Sequence, residues 1–298
     1  MKLRNASSAD AEAVAAVIRA ADEADGAAGD MSTQDVFAYW REIDPAKDVV
    51  VAEDDDGRLI GYVDVTPSTN DVHIDAYVDP VARGRGVGRE LLKAAEQIAA
   101  RQVDDRVPRR ATIVSTNGEG KQLLEREGYR YVRSFYRMRI VLTEPLPAPE
   151  WPSGIAVRRY EPGPDDRVMH ETLTEAFADH WEPHNRPLDD FVRLMAQDVQ
   201  LVAAASFLAY DGGEPAGAVL SKQRYGTGWI QSLGVRRPWR RAGLGRALLL
   251  HAFAAFWDEG ERSIGLGVDA ESPTGAPRLY ERAGMHVEVQ YDTYEKRL

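Results

Sequence analysis

Cysteine is absent from the 298 residues. That excludes disulfides, thiolate metal sites and a covalent intermediate on a cysteine nucleophile. Also missing is any run near the roughly 18–20 apolar residues that a membrane span requires. Met1-Lys2-Leu3-Arg4-Asn5 leads into polar sequence without the apolar core of a signal peptide. Positive charge is scarce: 37 Lys and Arg stand against 48 Asp and Glu, for a net charge of −11. Such a chain repels polyanions at long range, so general nucleic-acid binding is not expected. Hydrophobic residues make up 44%, enough to bury a core. The length allows about two domains of roughly 100–200 residues each. These readings predict a cytoplasmic enzyme, monomeric or homodimeric, without membrane or nucleic-acid partners.

A repeat organises what is present. Val78-Asp79-Pro80-Val81-Ala82-Arg83-Gly84-Arg85-Gly86-Val87-Gly88-Arg89 matches Val235-Arg236-Arg237-Pro238-Trp239-Arg240-Arg241-Ala242-Gly243-Leu244-Gly245-Arg246 in Val, the first Arg, two glycines and the last Arg. The copies lie 157 positions apart, and each is followed by an aligned glycine, Gly128 after 42 residues and Gly284 after 41. This is a duplication. It divides the chain into domains at 1–142 and 155–298. The linker at 143–154 carries Pro145, Pro147, Pro149 and Pro152, which oppose regular pairing.

Each half has the same expected order. Strands open at Leu3–Ala6 and Ile155–Tyr160, followed by helices over Ala9–Asp25 and Asp165–Asp179. Short helices follow at Gln34–Glu42 and Leu188–Gln197. Asp48–Glu53 with Leu59–Val65, and Leu201–Tyr210 with Pro215–Arg224, read as hairpins. A fourth strand, Val72–Val78 or Trp229–Val235, enters the glycine loop. The helix leaving it buries Leu91, Leu92, Ala95, Ile98 and Ala99, or Leu248, Leu249, Ala252, Phe253 and Phe256. Strand, short helix and strand close each half, an α/β (α+β) pattern.

A strand, an Arg/Gly loop and a helix start suit a phosphate. The helix N-terminus offers unpaired N–H groups and partial positive charge. Glycine permits close approach and positive φ, and arginines add charged donors. A dinucleotide fingerprint would place GxGxxG after the first strand, and a Walker loop would need Gly-Lys-Ser/Thr; neither occurs here. The arginines around Trp239 make a poor nucleic-acid patch, being few, interrupted by proline and set in an acidic chain.

Val-x-x-x-x-Arg-x-x-Gly-x-Gly, with Leu279-Tyr280-Glu281-Arg282-Ala283-Gly284-Met285 some 40 residues on, resembles the GNAT N-acetyltransferase superfamily. The likeness occurs once per half and is similar to tandem members such as the mycothiol synthases and their relatives. It implies two domains, each a bent mixed sheet flanked by helices and splayed beside the fourth strand for acetyl-CoA. It implies a cofactor grip by Leu233, Gly234, Val235 and the loop Arg240, Arg241, Ala242, Gly243, Leu244, Gly245, Arg246. In the first half the same grip falls on Ala76, Tyr77, Val78, Arg83, Gly84, Arg85, Gly86, Val87, Gly88 and Arg89. No metal is implied.

Acetyl transfer to an amine requires positioning, removal of an amine proton and stabilisation of the departing thiolate. The resemblance makes Tyr280 the proton donor to that thiolate; the plain alternative is a core-facing aromatic. Leu124 stands there in the first half and cannot donate a proton, so that half is expected to be degenerate. Asn117 keeps the family's asparagine, and Pro273 replaces it in the second half. Mycothiol synthases carry a glutamate six residues before the strand valine; here those positions hold Trp229 and Val72. The remaining base candidates are Asp269 and Glu271, which equally suit helix capping. His180, Trp181 and His184 form a titratable, aromatic loop suited to a small-molecule amine acceptor. The competing readings are mycothiol synthesis itself, against which Trp229 argues, and a non-catalytic CoA-binding regulatory or structural protein.

Overall fold

The computed structural model describes residues 1–67, 71–102, 107–181 and 186–297. They form two compact units, Met1–Phe135 with Val289–Leu298, and Tyr136–Glu288. The first half of the chain contributes β1 (Lys2–Asn5), α1 (Ala11–Ala24), α2 (Thr33–Tyr39), α3 (Pro45–Asp48), β2 (Val49–Glu53), β3 (Leu59–Pro67), β4 (Val72–Val78), α4 (Val87–Gln102), β5 (Arg109–Val114), α5 (Gly118–Arg126) and β6 (Arg130–Val141). The second contributes β7 (Ile155–Arg159), α6 (Asp166–Ala176), α7 (Leu188–Gln197), β8 (Phe207–Asp211), β9 (Glu214–Arg224), β10 (Thr227–Val235), α8 (Leu244–Asp258), β11 (Ser263–Asp269), α9 (Ala276–Arg282) and β12 (His286–Lys296). Among the described residues, no helix is long and apolar enough to cross a membrane.

Local chemistry explains most boundaries. Ser32 and Asp35 form a reciprocal capping box at the start of α2. Asp44 caps α3, whose first residue is Pro45, so a helical turn precedes β2. Gly212 and Gly213, both at positive φ, turn the β8–β9 hairpin. The expected strand Leu201–Tyr210 is corrected: β8 begins only at Phe207, after a 3-10 turn at Ala203–Ala205. There Ser206 Oγ donates to the Val202 carbonyl and Ser221 Oγ to that of Ala205. Side chains thus take acceptors that a ladder would have used.

The first unit's sheet runs β1-β2-β3-β4-β5-β12, and the second's runs β6-β11-β10-β9-β8-β7. The strand that closes each sheet is drawn from the other end of the duplication. β12 pairs with β5 from Tyr291–Val114 to Lys296–Arg109. Tyr136–Val141 of β6 lies in the second unit, where Met138 and Ile140 join Ile264 and Leu266 in its core. The segment 143–154 has no helix or strand, and its Leu146 and Trp151 pack on that same core.

α4 and α8 bury the apolar faces expected of them, α4 against Val63, Val65 and Ile74, α8 against Val219 and Ile230. Beside them the sheets open. Parallel pairing of β4 with β5 covers only Val72–Ile74, and that of β10 with β11 only Gly228–Ile230. The remaining stretches, Asp75–Val78 and Gln231–Val235, run beside a gap. Ala76 is exposed although it sits on an interior strand, and Gly267 of β11 has nothing within 4 Å of where a Cβ would stand.

Candidate active site

At the end of β10 a 3-10 turn, Arg237–Trp239, leads into the loop that starts α8. Arg241 (φ 65°) and Gly243 (φ 87°) take left-handed conformations there, as Gly84 (φ 73°) and Gly86 (φ 84°) do in the first unit. Leu244 and Val87 anchor the helix starts in their cores, at 1% and 2% exposure. Gly245 and Gly88 lie within the first turn, where Val235 and Val78 approach to 3.6 and 3.5 Å of an added Cβ. The N–H groups of each first turn have no intrahelical acceptor. Each loop thus aims backbone donors outward beside the gap in its sheet.

The arginines divide into two sets. Arg240 donates through Nε to the Val235 carbonyl (3.0 Å), through Nη2 to that of Ala176 (2.9 Å) and through Nη1 to Asp179 (3.1 Å). Arg237 also binds Asp179, and Arg236 binds Glu175 at 2.6 Å. Asp179 is held low, at about 2, by Arg237 first and then Arg240. Arg83 repeats the device with a bidentate pair to Asp25 and a bond to the Ala21 carbonyl. Arg89 pairs with Glu127 at 2.7 Å. These five clamp helices rather than face a ligand. Arg85, Arg241 and Arg246 are exposed, and no described residue pairs with them. Ala242 is exposed beside them; Leu233 and Val235 are half-buried and Gly234 buried along β10, with Tyr77 and Val78 half-buried along β4. Sequence reasoning missed Asp25 and Asp179, whose only signal is an acid just beyond the first helix of each half.

Tyr280 lies on α9, its ring in the second unit's core at 7% exposure. Its hydroxyl makes no hydrogen bond with any described residue, yet the oxygen is not sealed from solvent. Burial pushes its pKa up to about 12, so it keeps its proton through the neutral range. Leu124, its counterpart on α5, is buried in the first unit's core. Asn117 caps α5 by accepting the Gly120 N–H and donates to Asp25.

Two residues singled out separately in the sequence come together. His180, just beyond α6, has Nε2 4.0 Å from Asp269 Oδ2 at the end of β11. Asp269 is 1% exposed, and its Oδ1 accepts the Glu271 N–H at 2.9 Å, closing a turn as a capping acid does. His180 is steadied by its N–H bond to the Phe177 carbonyl and by the Phe177 ring, 5.6 Å away in edge contact. The Arg240 and Arg237 clamps fix the same segment. Glu271 is exposed and Trp181 half-buried; His184 lies outside the described residues. Trp229 is a packing residue: it stands opposite Gly265, where a Cβ would come within 2.7 Å of the indole. Tyr225 and the Arg137 guanidinium complete its surroundings.

Residues 167–285 match the model of the acetyltransferase (GNAT) family, and residues 45–131 match that of the acetyltransferase (GNAT) domain. Curated relatives include a mycothiol acetyltransferase of Thermobispora bispora, 34% identical over 95% of each chain. Another, from Salinispora tropica, is 32% identical over 91% of this chain and 88% of its own. A GCN5-related N-acetyltransferase from Sphaerobacter thermophilus superposes with a TM-score of 0.87 at 36% identity, over 99% and 95% of the two chains. A tandem GNAT protein from clavulanic acid biosynthesis shares the fold at TM-score 0.77 and 16% identity, over 99% and 98%.

Proposed function

The chain belongs to the acetyltransferase (GNAT) family, with two such domains in tandem, and from that premise we propose that its second unit acetylates the amine of a small molecule by direct transfer from acetyl-CoA. The observation that carries this reading is the Tyr280 hydroxyl, held in an apolar setting without a partner and protonated at neutral pH. Acetyl-CoA supplies the activated acetyl group and departs as its thiol. The fit lies in the chain's own donors. The N–H groups of Gly243–Arg246 and the free guanidinia of Arg241 and Arg246 suit its phosphates. The open edge at Leu233–Val235 suits its amide-bearing arm. Tyr280 gives its proton to the leaving sulfur.

His180 takes the amine proton, with the Asp269 carboxylate facing its imidazole 4.0 Å away. This replaces the glutamate of mycothiol synthases, because Trp229 fills that position with core. The first unit has the loop and the gap but Leu124 in place of the tyrosine; it binds acetyl-CoA without turnover. The relatives' name makes a cysteinyl aminosugar the first acceptor to try, beside simple aminosugars, polyamines and amino-acid amides. Incubation with acetyl-CoA and each amine, read by free-thiol release, should give turnover with at least one. Binding of acetyl-CoA with no release above hydrolysis across that panel would overturn the reading. A His180→Ala variant at unchanged rate would remove His180 from it.

A further inference from the structure

In the second unit, one arginine of the glycine loop holds the segment that carries His180. Arg240 donates to three parts of the chain: the Val235 carbonyl at the end of β10, the Ala176 carbonyl at the end of α6 and the Asp179 carboxylate, at 3.0, 2.9 and 3.1 Å. The last carbonyls of a helix lack intrahelical donors, and a cation is favoured beside them. Arg237 adds a bond from Nε to Asp179 at 2.9 Å. Gly234 of β10 admits the same helix end from below: a Cβ there would stand 2.7 Å from that of Ala176 and 3.4 Å from the Phe177 ring. His180 follows Asp179 directly, and its N–H bonds the Phe177 carbonyl at 2.9 Å. The segment 176–180 is thus fixed on strand and loop at once, and its last side chain faces Asp269 across 4.0 Å.

The first unit has the same clamp with a different residue at its tip. Arg83, aligned with Arg240 in the duplicated motif, binds Asp25 through both Nη atoms (2.7 and 3.0 Å) and the Ala21 carbonyl at 3.4 Å. The residue after Asp25 is Gly26, at φ 83°, which has no side chain to present. The clamp therefore belongs to the fold, and the histidine at its tip belongs to the unit that keeps Tyr280. Asp25 is also tied to the start of α5 by the Asn117 amide, at 2.8 Å. Pro273 stands in that asparagine's place in the second unit and brings no side-chain donor. There Arg240 and Arg237 hold Asp179. Each nitrogen of the Arg240 guanidinium already donates within the protein, whereas the neighbouring Arg241 is exposed.

We propose that Arg240 is a positioning residue for proton removal: through Asp179 and the Ala176 carbonyl it sets where His180 stands, and it does not hold the cofactor's phosphates. This role rests on the proposed use of His180 as the base. A general base contributes only when it is placed within reach of its proton, and a displacement of about 1 Å can cost roughly 100-fold. The phosphate side of the loop is left to Arg241, Arg246 and the backbone N–H groups.

The test uses the full chain, acetyl-CoA and the amine that gives the fastest thiol release in the panel above. Arg240→Gln and Arg240→Lys should each lower kcat at least about tenfold and leave KM for acetyl-CoA within about twofold. Lysine keeps the charge but lacks the planar fork, so a phosphate donor would be spared by Lys and would show its loss in KM with Gln. Added to His180→Ala, Arg240→Gln should cost less than about a further twofold, because residues acting through one group are not additive. Should Arg240→Gln fold poorly, Asp179→Asn, on a partly exposed acid, carries the same expectations. A full rate in these variants, or a rise of tenfold in KM for acetyl-CoA with Gln alone, would overturn the positioning role. So would losses that multiply in the double variant while His180→Ala is itself impaired, an outcome that leaves the base in place. A full rate in His180→Ala, or no turnover with any amine, removes the reading above and this role with it.

Discussion

Replacing Tyr280 with Phe removes one oxygen and little else. The ring stays within the second unit's core, and no hydrogen bond is broken because the hydroxyl makes none with the described residues. The oxygen is open to solvent, so no unpaired buried group is relieved, and the variant should match the parent at neutral pH within about 0.5 kcal/mol. Catalysis should respond very differently. A positioned general acid contributes roughly 10²–10⁴-fold, which is about 3–5 kcal/mol of barrier. The rate of thiol release should fall at least about 100-fold, with little change in KM for acetyl-CoA. Alkaline unfolding supplies a second signature. Burial lifts Tyr280 from 10.0 to about 12. Between those values the unfolded chain has shed the proton that the native chain retains, so stability falls as pH rises through the window. That difference corresponds to roughly 3 kcal/mol, a contribution fully present below pH 10 and lost as pH rises through about 12. Denaturant unfolding at pH 9 and 11.5 should show that additional loss in the parent and not in the Phe variant. Full activity at every pH would refute the proton-donor role, and matching alkaline profiles would refute the burial argument.

Arg241→Gly relieves a left-handed residue costing about 1–2 kcal/mol, less the roughly 0.5–1 kcal/mol that glycine adds in chain entropy. Thermal unfolding without ligand should show equal or slightly higher stability, while calorimetry shows acetyl-CoA binding weakened at least about tenfold by loss of a charged donor. Gly265→Ala drives a methyl into the Trp229 indole, 2.7 and 2.9 Å from two ring carbons. Overpacking of that kind costs about 1–3 kcal/mol, and an unchanged urea midpoint would contradict the contact. His251 lies against Phe207 and Trp151, and burial, then Arg159, lowers its pKa. Its contribution is complete above the ordinary histidine value near 6.5 and is lost as pH falls through the lowered one. His251→Gln should therefore lose less stability than the parent between pH 7.5 and pH 5, measured by urea unfolding.

The duplication, the glycine loops and both core-facing helices were legible because each is a local pattern: identical spacing, positive-φ residues, and apolar recurrence at helical period. Tyr280 was legible only through the motif that surrounds it, since its burial suits a core aromatic equally well. What stayed hidden depends on distance through space. Arg83 and Arg240 read as phosphate donors, and their partners Asp25 and Asp179 lie some sixty positions away. His180 and Asp269 were separate candidates, brought within 4.0 Å by the meeting of a helix end and a strand end. The same limit hid the partner of β12, for a strand's sequence records its own alternation and not its neighbour.

That exchange of closing strands has a consequence for how the protein is made. Arg110 and Glu295, ion-paired across β5 and β12, are 185 positions apart. Almost everything else in the first unit has left the ribosome by Phe135, yet the edge of β5 waits for Val289–Lys296. At roughly 5–20 residues per second, translation imposes a delay of about ten to thirty seconds. Through that interval an apolar sheet offers unpaired backbone to any extended chain nearby, the circumstance under which strand-swapped aggregates nucleate. The nascent protein thus carries an open seam, and the rate of its synthesis competes with every foreign strand able to fill it.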